Sequence, residues 1–265
     1  MRLPNNWNEV KLRQFIHYLE YKDEKPETTE ERFNLLYKRI CAITDCSVEE
    51  ARNLKVKDQS KLQKLFNTKL EQRLFPSFKL NGIRYRPIGS KSSFVDVREL
   101  DGERYTAIKQ VSKRGATKYL HQILFLVCEP IKFGFKKSFP FIGWKGYEFK
   151  ENEVESRIND FKELPMKYAN PLSVFFFDSL KGVESRYPRL FGGLHGEDDA
   201  GSGADTSEFR YRYGWLTVID AMSKDDPTKW EYFEKMKVPK FLAMADYYNS
   251  KQIEKNKQLK KNGLL

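Results

Sequence analysis

The chain has 265 residues, of which 40% are hydrophobic and 14% aromatic, so it can bury a sizeable core and is not globally disordered. Its net charge of +11 permits binding to nucleic acid or acidic partners but does not by itself indicate either. The opening residues lack the apolar stretch of a signal peptide, and no apolar run is long enough to cross a membrane. The small, odd number of cysteines, three, favours a reducing cytoplasm.

The first 76 residues carry the signals of four short helices. Apolar residues recur at helical spacing over 11–21, which predicts the first helix. Thr28–Glu31 and Ser47–Glu50 each place a hydroxyl three residues before a carboxylate, the pattern of a capping box that begins a helix. A fourth helix is predicted over about 59–74. We therefore expect a helical subdomain at residues 1–76.

The pattern changes after this region. Alternating apolar and polar residues flank Asn81–Gly82, which predicts a small β-hairpin over 78–88. Residues 94–97 fit either a further strand or the start of a helix. The helical pattern is weak over 103–113 and strong over 116–129.

The stretch from Asn170 to Leu180 is the most informative in the chain and predicts a buried core helix. Asn170 is a good cap and Pro171 suits a first helical position, where its missing N–H would be unpaired in any case. Apolar residues fill more than half of the circumference, which is typical of a helix covered on most sides. We therefore interpret residues 175–177, three phenylalanines, as scaffold.

The last third of the chain is predicted to contain a flexible loop followed by helices. Residues 191–208 are rich in glycine and acidic residues and cannot bury a face. A core helix is predicted at 215–222, a short helix after Asp226, and a final helix starting at Pro239. The lysine-rich end, 251–265, is expected to fray into solvent.

These patterns predict a mainly α-helical protein with one small β-hairpin. The expected division has four consecutive regions: the helical subdomain at 1–76, the hairpin and core-helix region at 77–190, the loop at 191–208, and C-terminal helices that pack on the core and carry a basic tail at 209–265.

The residues needed for catalysis are not arranged in a recognisable motif. The three histidines, His17, His121 and His195, are scattered, and no serine lies in a Gly-x-Ser-x-Gly elbow. No phosphate-binding glycine loop occurs either. We therefore predict a non-enzymatic protein with no catalytic residue and no cofactor.

Two groups of residues were considered as metal ligands. Cys41 and Cys46 could bind a metal, but without a second ligand pair at zinc spacing we expect buried free thiols. The acidic loop around residues 195–205 could attract a cation, but it lacks the ligand order of a calcium loop, and a solvated loop is favoured. We expect no metal site.

The best candidate for function is the segment 132–150, where aromatic residues and lysines alternate without a helical period. Exposed rings and lysines could contact a partner protein or stack on nucleic acid, or the rings could simply cover the domain's own core. Of these interpretations, we favour rings that cover the domain's own core. The candidate partner-binding residues are Phe133, Phe135, Lys136, Lys137, Trp144, Lys145 and Tyr147.

Three stretches together resemble proteins encoded in the tail-gene clusters of tailed bacteriophages. Residues 3–15 resemble the Leu-Pro-x-x-Trp-x-x-Val start of such proteins. The order that follows is similar, with short helices, a Gly-x-x-Tyr hairpin such as Gly82–Tyr85, and a helix bearing Leu120–His121. The C-terminal part is similar through Tyr213–Leu216, Trp230 and the helix at Val238–Pro239.

The resemblance implies a tail assembly chaperone, a non-enzymatic protein that shields the tape-measure chain until tube subunits polymerise around it. The expected partners are tail or neck proteins, with nucleic acid as a further possibility through the basic surface and no membrane. The alternatives are a structural virion component of the neck or tail, or a basic nucleic-acid-binding protein. The expected location is the host cytoplasm, or the virion if the protein is structural.

Overall fold

The chain is mainly α-helical with a small antiparallel sheet, as its sequence predicts. The computed structural model describes residues 3–70, 72–73, 75–89, 95–135, 142–146, 149–191 and 215–262, and for 133–135 and 142–146 it describes the backbone. Two compact units are present, and each is built from two separate stretches of chain. Unit 1 comprises residues 1–87 and 115–174, and unit 2 comprises residues 88–114 and 175–265.

Unit 1 begins with four helices, α1 (Leu12–Lys22), α2 (Thr29–Thr44), α3 (Val48–Arg52) and α4 (Val56–Phe66). Both predicted capping boxes are confirmed, since the hydroxyls of Thr28 and Ser47 each accept the N–H three residues later and the carboxylates of Glu31 and Glu50 reach back. The predicted end of α4 at residue 74 was wrong. The helix stops at Phe66, because the Thr68 N–H and hydroxyl both bind the Leu65 carbonyl in a closing turn.

The sheet of unit 1 has four antiparallel strands in the order β1-β2-β3-β4. The predicted hairpin is confirmed as β1 (Phe78–Leu80) and β2 (Ile83–Pro87), and both residues of the Asn81–Gly82 turn have positive φ. The sheet extends further through β3 (Cys128–Phe135) and β4 (Ile142–Gly146).

The helix predicted over 116–129 is confirmed only in its middle, as α6 (Leu120–Leu126). From Cys128 onward the chain pairs with β2, with Pro130 opposite Tyr85 and Cys128 opposite Pro87. Pro130 cannot continue a helix, and the sheet offers its neighbours cross-strand partners instead. Tertiary pairing therefore overrides the local helical pattern at this point.

The core of unit 1 is a cluster of aromatic rings centred on Phe161, which is fully buried. Phe161 follows α7 (Glu151–Asp160) in a 3-10 turn. Its ring centroid lies 5.0 Å from that of Tyr85, 5.6 Å from Phe125 and 6.1 Å from Phe78, each in an edge-to-face arrangement. Such edge-to-face contacts are favourable beyond the area they bury, so these rings join the sheet to the helices.

The core helix α8 (Met166–Glu184) is longer than predicted, and the expected start at Asn170–Pro171 was wrong. Pro171 lies inside the helix. The helix begins earlier because the extended N-terminal residues hold its start: the Met166 N–H donates to the Val10 carbonyl at 2.8 Å, and Leu12 N–H to the Leu164 carbonyl at 2.8 Å. The sequence beyond Val174 belongs to unit 2.

Unit 2 is helical in its described part. It contains α5 (Gly102–Lys113), the end of α8, α9 (Pro188–Phe191), α10 (Trp215–Ser223), α11 (Trp230–Glu234) and α12 (Val238–Lys261). Residues 94–97 fitted either a strand or a helix start. Of these, Val95 and Asp96 are in neither, Val97 begins a 3-10 turn (Val97–Glu99), and residue 94 lies outside the described residues. The predicted helices at 215–222, after Asp226 and from Pro239 are confirmed.

Two further predictions concern the last part of the chain. The lysine-rich end does not fray as expected, because α12 continues to Lys261. Extending an anchored helix needs no new nucleus, and its lysine, glutamine and glutamate residues are good helix formers. The predicted loop at 191–208 lies outside the described residues after Phe191.

Close packing in unit 2 occurs at Gly102, where α5 begins. A Cβ atom at this position would lie 2.8 Å from the Phe233 carbonyl oxygen and 3.3 Å from a ring carbon of Phe241. The Gly102 N–H donates to the Met236 carbonyl at 2.8 Å. The glycine thus allows the backbones of α5 and the α11–α12 connection to meet.

Candidate partner-binding surface

In its described part, the predicted partner-binding segment forms strand residues of β3 and β4, which we call the β3–β4 hairpin, and not an irregular loop. Its register places Phe133 opposite Trp144, Lys132 opposite Lys145 and Phe135 opposite Ile142. Four of the seven candidate residues, Phe133, Phe135, Trp144 and Lys145, are therefore brought together on two adjacent strands. Lys136, Lys137 and Tyr147 lie outside the described residues.

Where the hairpin leaves the sheet, part of the segment covers the core of unit 1. The ring of Phe149 lies 6.2 Å from Phe125 and 6.3 Å from Tyr85, and the guanidinium of Arg157 lies over it at 5.8 Å. Arg86 and Glu129 form an ion pair at the beginning of β3. The ring of Phe149 therefore covers the core, which is one of the interpretations that the sequence left open. Lys132, in contrast, is exposed on β3.

A second candidate surface is an apolar groove in unit 2, along the last turns of α8 and α9. We call it the α8 groove. It is a shallow depression, open to solvent, with a volume of about 450 Å³, and it is lined by Phe177, Leu180, Lys181, Glu184, Ser185, Pro188 and Phe191. Phe177 is 36% exposed, whereas its neighbour Phe176 is fully buried. The interpretation of all three phenylalanines as scaffold was therefore wrong for Phe177. Its ring is available at the surface.

Glu184, which lines the α8 groove, is held in place by two neighbouring polar groups. The Glu184 carboxylate accepts hydrogen bonds from the Tyr105 hydroxyl and the Lys109 ammonium, both at 2.9 Å. Lys109 also lies 5.3 Å from the ring centroid of Phe191. Burial, together with the nearby Glu184 carboxylate, raises the pKa of Tyr105 above its ordinary value. The hydroxyl therefore stays protonated and keeps donating to Glu184.

Sequence reasoning missed this groove, although one signal for it was present. The apolar arc of α8 covers more than half of the circumference, which is more than a single core contact requires. Which part of that arc stays uncovered depends on the position of Pro188 and Phe191 in space. A local pattern cannot give that position.

The two histidines that the structure describes, His17 and His121, have different environments. His121 is buried in α6, and burial, with a smaller contribution from Lys162, lowers its pKa to about 4. It is therefore neutral at physiological pH. His17 is exposed, and its Nε2 lies 3.3 Å from the Tyr21 hydroxyl. His195 lies outside the described residues.

The groups considered as metal ligands do not form a metal site in the part of the chain that the structure describes. There, no three or more histidine, cysteine, aspartate or glutamate side chains are placed to hold an ion. Cys41 and Cys46 are half-buried free thiols with their Sγ atoms 3.8 Å apart, and Cys128 is buried. The acidic loop considered for a cation lies outside the described residues. No described helix is long and apolar enough to cross a membrane.

Charge in unit 1 is concentrated where α1, the end of α2 and the Phe161–Glu163 turn meet. Arg13 donates to both oxygens of Asp45, at 2.7 and 2.6 Å, and to Glu163 at 2.5 Å. Burial alone would raise the pKa of Asp45, but hydrogen bonds from Arg13 and Gln14 outweigh it and keep the pKa below its ordinary value. We interpret this cluster as a structural clamp, since every charged group in it already has a partner.

Comparison with known proteins identifies no relative. No protein-family model, curated protein sequence or solved structure matches the chain.

Proposed function

We propose that the protein is a non-enzymatic assembly factor of a tailed bacteriophage. In this proposal it binds an apolar segment of a tail protein, either the tape-measure protein or the tube protein. The similarity of the N-terminal, hairpin and C-terminal stretches to tail-gene products gives the biological setting. The α8 groove supplies the observation that carries the proposal.

The α8 groove has the size and lining that suit a short apolar segment. Its volume of about 450 Å³ can accept a few side chains, and Phe177, Leu180 and Phe191 offer them an apolar wall. Lys181 and Glu184 at its edge keep the empty groove hydrated, so binding can be reversible. Partly exposed aromatic residues commonly supply much of the binding energy in such interfaces.

The β3–β4 hairpin is the second proposed contact region. Phe133, Phe135, Lys136, Lys137, Trp144, Lys145 and Tyr147 combine rings with positive charge, which suits a partner that presents apolar and acidic residues. β4 follows β3 in the sheet order and lies at its end, so its outer edge is a place where an extended segment could add as a strand.

Affinity purification from infected cells tests the proposal. The tagged protein is expected to recover the tape-measure or tube protein. Phe177→Ser should weaken recovery roughly tenfold, because it removes a central apolar contact. Phe33→Ser is the matched control, since Phe33 is a 51% exposed phenylalanine that belongs to neither the α8 groove nor the β3–β4 hairpin.

Two outcomes would oppose this proposal. Recovery of neither tail protein removes the assigned partner. Equal loss of recovery in Phe177→Ser and Phe33→Ser removes the α8 groove as the binding site. A matching pair, Phe135→Ser with the same control, tests the hairpin separately.

The location of the protein separates an assembly factor from a structural component. We propose the host cytoplasm as its location, so mass spectrometry should find it in infected-cell lysate and not in purified particles. Stoichiometric presence in particles would instead favour a virion component of the neck or tail.

The exposed end of α12 favours nucleic-acid binding as a second candidate function. From Lys251 to Lys261 the helix is almost entirely exposed and carries five lysines and one glutamate. The lysines of such a helix can neutralise phosphates and release the counterions bound to them. Because this release is less favourable at high salt, the affinity for nucleic acid should fall steeply as the salt concentration rises. Replacing Lys251, Lys255 and Lys257 with glutamine should then reduce both affinity and its salt dependence. Binding that ignores salt would exclude this function.

A further inference from the structure

The end of helix α2 brings two cysteines together through its capping geometry. Asp45 has a left-handed conformation, with φ of 57°, and its N–H donates to the Cys41 carbonyl at 2.9 Å. In caps of this kind, the residue after the left-handed position commonly contacts the one five residues before it. Those two residues are here Cys46 and Cys41.

The two sulfur atoms are in contact and accessible. Cys46 Sγ lies 3.8 Å from Cys41 Sγ, and both residues are half-buried, so a small oxidant can reach them. A disulfide has a sulfur separation of about 2 Å, so oxidation must bring the two atoms closer than they are in the reduced protein. The cap itself is held by Arg13 and Gln14, which both donate to the Asp45 carboxylate.

We propose that Cys41 and Cys46 are a redox-sensitive modification site that forms a reversible intrachain disulfide when a peroxide is present. One sulfur attacks hydrogen peroxide, giving a sulfenic acid and water. The other thiol then attacks that sulfenic sulfur, which forms the S–S bond and releases a second water. Two thiols are thus oxidised and one peroxide is reduced to two waters.

The surroundings of Cys41 affect its ionisation. Burial, followed by the proximity of Cys46, raises the pKa of Cys41 to about 12, so Cys41 is a thiol at neutral pH in the reduced protein. The short distance between the two sulfur atoms allows either one to resolve a sulfenic acid that forms on the other. This inference does not depend on the proposed function.

Peptide mapping of the intact folded protein tests the site. Trypsin cleaves after Arg39 and Arg52, so one peptide, Ile40–Arg52, carries both cysteines. After treatment with hydrogen peroxide and alkylation in denaturant, this peptide should lack both alkyl groups and be lighter by two hydrogens than the reduced form. Dithiothreitol should restore two alkylatable thiols.

The third cysteine is an internal control. Cys128 is buried in β3 and lies in a different tryptic peptide, so it should remain alkylatable in denaturant after the same treatment. Cys41→Ser and Cys46→Ser each remove one of the two thiols, so peroxide should form no disulfide within Ile40–Arg52 in either variant, and dimedone should trap a sulfenic acid on the remaining cysteine. Retention of both thiols in Ile40–Arg52, a bond to Cys128, or a bond between two chains would each overturn the proposal.

Discussion

The cores of the two units differ in what they bury. Unit 1 packs Phe161 against the rings of Phe78, Tyr85 and Phe125, with neutral His121 buried in α6. Unit 2 also buries aromatic residues, but its Tyr105 is tied to Glu184, which in turn pairs with Lys109.

This difference determines how each unit should respond to mutation. In an apolar cluster the cost of a truncation follows the volume and area that are lost. In a polar group of three, the cost of removing one member is set by the partners left without a hydrogen bond. The stability of the apolar cluster in unit 1 should depend little on pH or salt, apart from the contribution of His121. The stability of the polar group in unit 2 depends on keeping its charges paired.

The largest expected effect is truncation of the ring at the centre of unit 1. Phe161→Ala should lower the free energy of unfolding by about 3–5 kcal/mol, because the neighbouring rings cannot close the cavity. Hydrogen exchange with peptide resolution should show faster exchange in α6 and α7. Phe33→Ala, at an exposed position of unit 1, should change stability by less than about 0.5 kcal/mol. Equal effects of the two substitutions would contradict the assignment of Phe161 to the core.

The buried histidine should make unit 1 lose stability at mildly acidic pH. The pKa of His121 is about 4 in the folded protein, below the ordinary value of 6.5, so the unfolded chain binds its proton more readily. Its contribution is fully present above pH about 6.5 and is lost as the pH falls toward about 4, a total of roughly 2–3 kcal/mol.

The window between pH about 6.5 and 5 isolates this effect, since carboxylates titrate mainly below it. Urea unfolding across this window should show the decline in the wild-type protein and in His17→Gln, whose histidine is exposed. His121→Leu should flatten it. A decline that persists in His121→Leu would assign the pH dependence to another group.

The polar group of unit 2 should give a smaller loss. Glu184→Ala leaves the Tyr105 hydroxyl and the Lys109 ammonium without their acceptor, at a cost of about 1–3 kcal/mol. Glu184→Gln keeps an oxygen acceptor and should recover part of the loss. In a double-mutant cycle with Tyr105→Phe, the two substitutions should be less destabilising together than their sum. Strict additivity would show that the hydrogen bond contributes nothing measurable.

Features encoded within a few residues could be predicted from the sequence. The caps at Thr28 and Ser47 and the turn at Asn81–Gly82 depend on side chains and backbone angles that neighbours determine, and all three are confirmed. The same holds for the apolar spacing of α1 and α12. In each case local preference and the fold agree.

Features that depend on distant partners could not be predicted in this way. Residues 128 and 129 belong to the stretch predicted as a helix over 116–129, but they pair with β2 as the start of a strand. Pro171 has the local signals of a helix start, but Val10 sets that start five residues earlier. The construction of each unit from two stretches is equally invisible to local patterns.

The candidate surfaces show the same limit. The sequence pattern pointed to residues 132–150, and the register places the backbones of Phe133 and Trp144 opposite each other on two adjacent strands. The α8 groove remained hidden, because Phe177 carries the same local signal as the fully buried Phe176 beside it. Exposure is a property of the packed structure, and three consecutive phenylalanines do not reveal which ring stays uncovered.

The smallest expected effect concerns the exposed ion pairs, where the two units should behave alike. Asp45→Asn removes the charge that pairs with Arg13 but keeps a residue that tolerates the left-handed conformation. Both side chains are about two-fifths exposed, so the loss should stay below about 1 kcal/mol and shrink further in high salt.

The acid dependence of this pair follows from the pKa of Asp45, which lies below its ordinary value of 3.8. Its stabilisation is present above pH about 3.8 and is lost as the pH falls through the lower folded-state pKa, so Asp45→Asn should flatten only that part of the unfolding curve. Glu231→Gln, which breaks the more exposed pair with Lys235 in unit 2, should leave stability unchanged within error. A loss for Asp45→Asn as large as that for Glu184→Ala would mean that the Arg13 cluster acts as a buried polar group, and the contrast between the two units would then disappear.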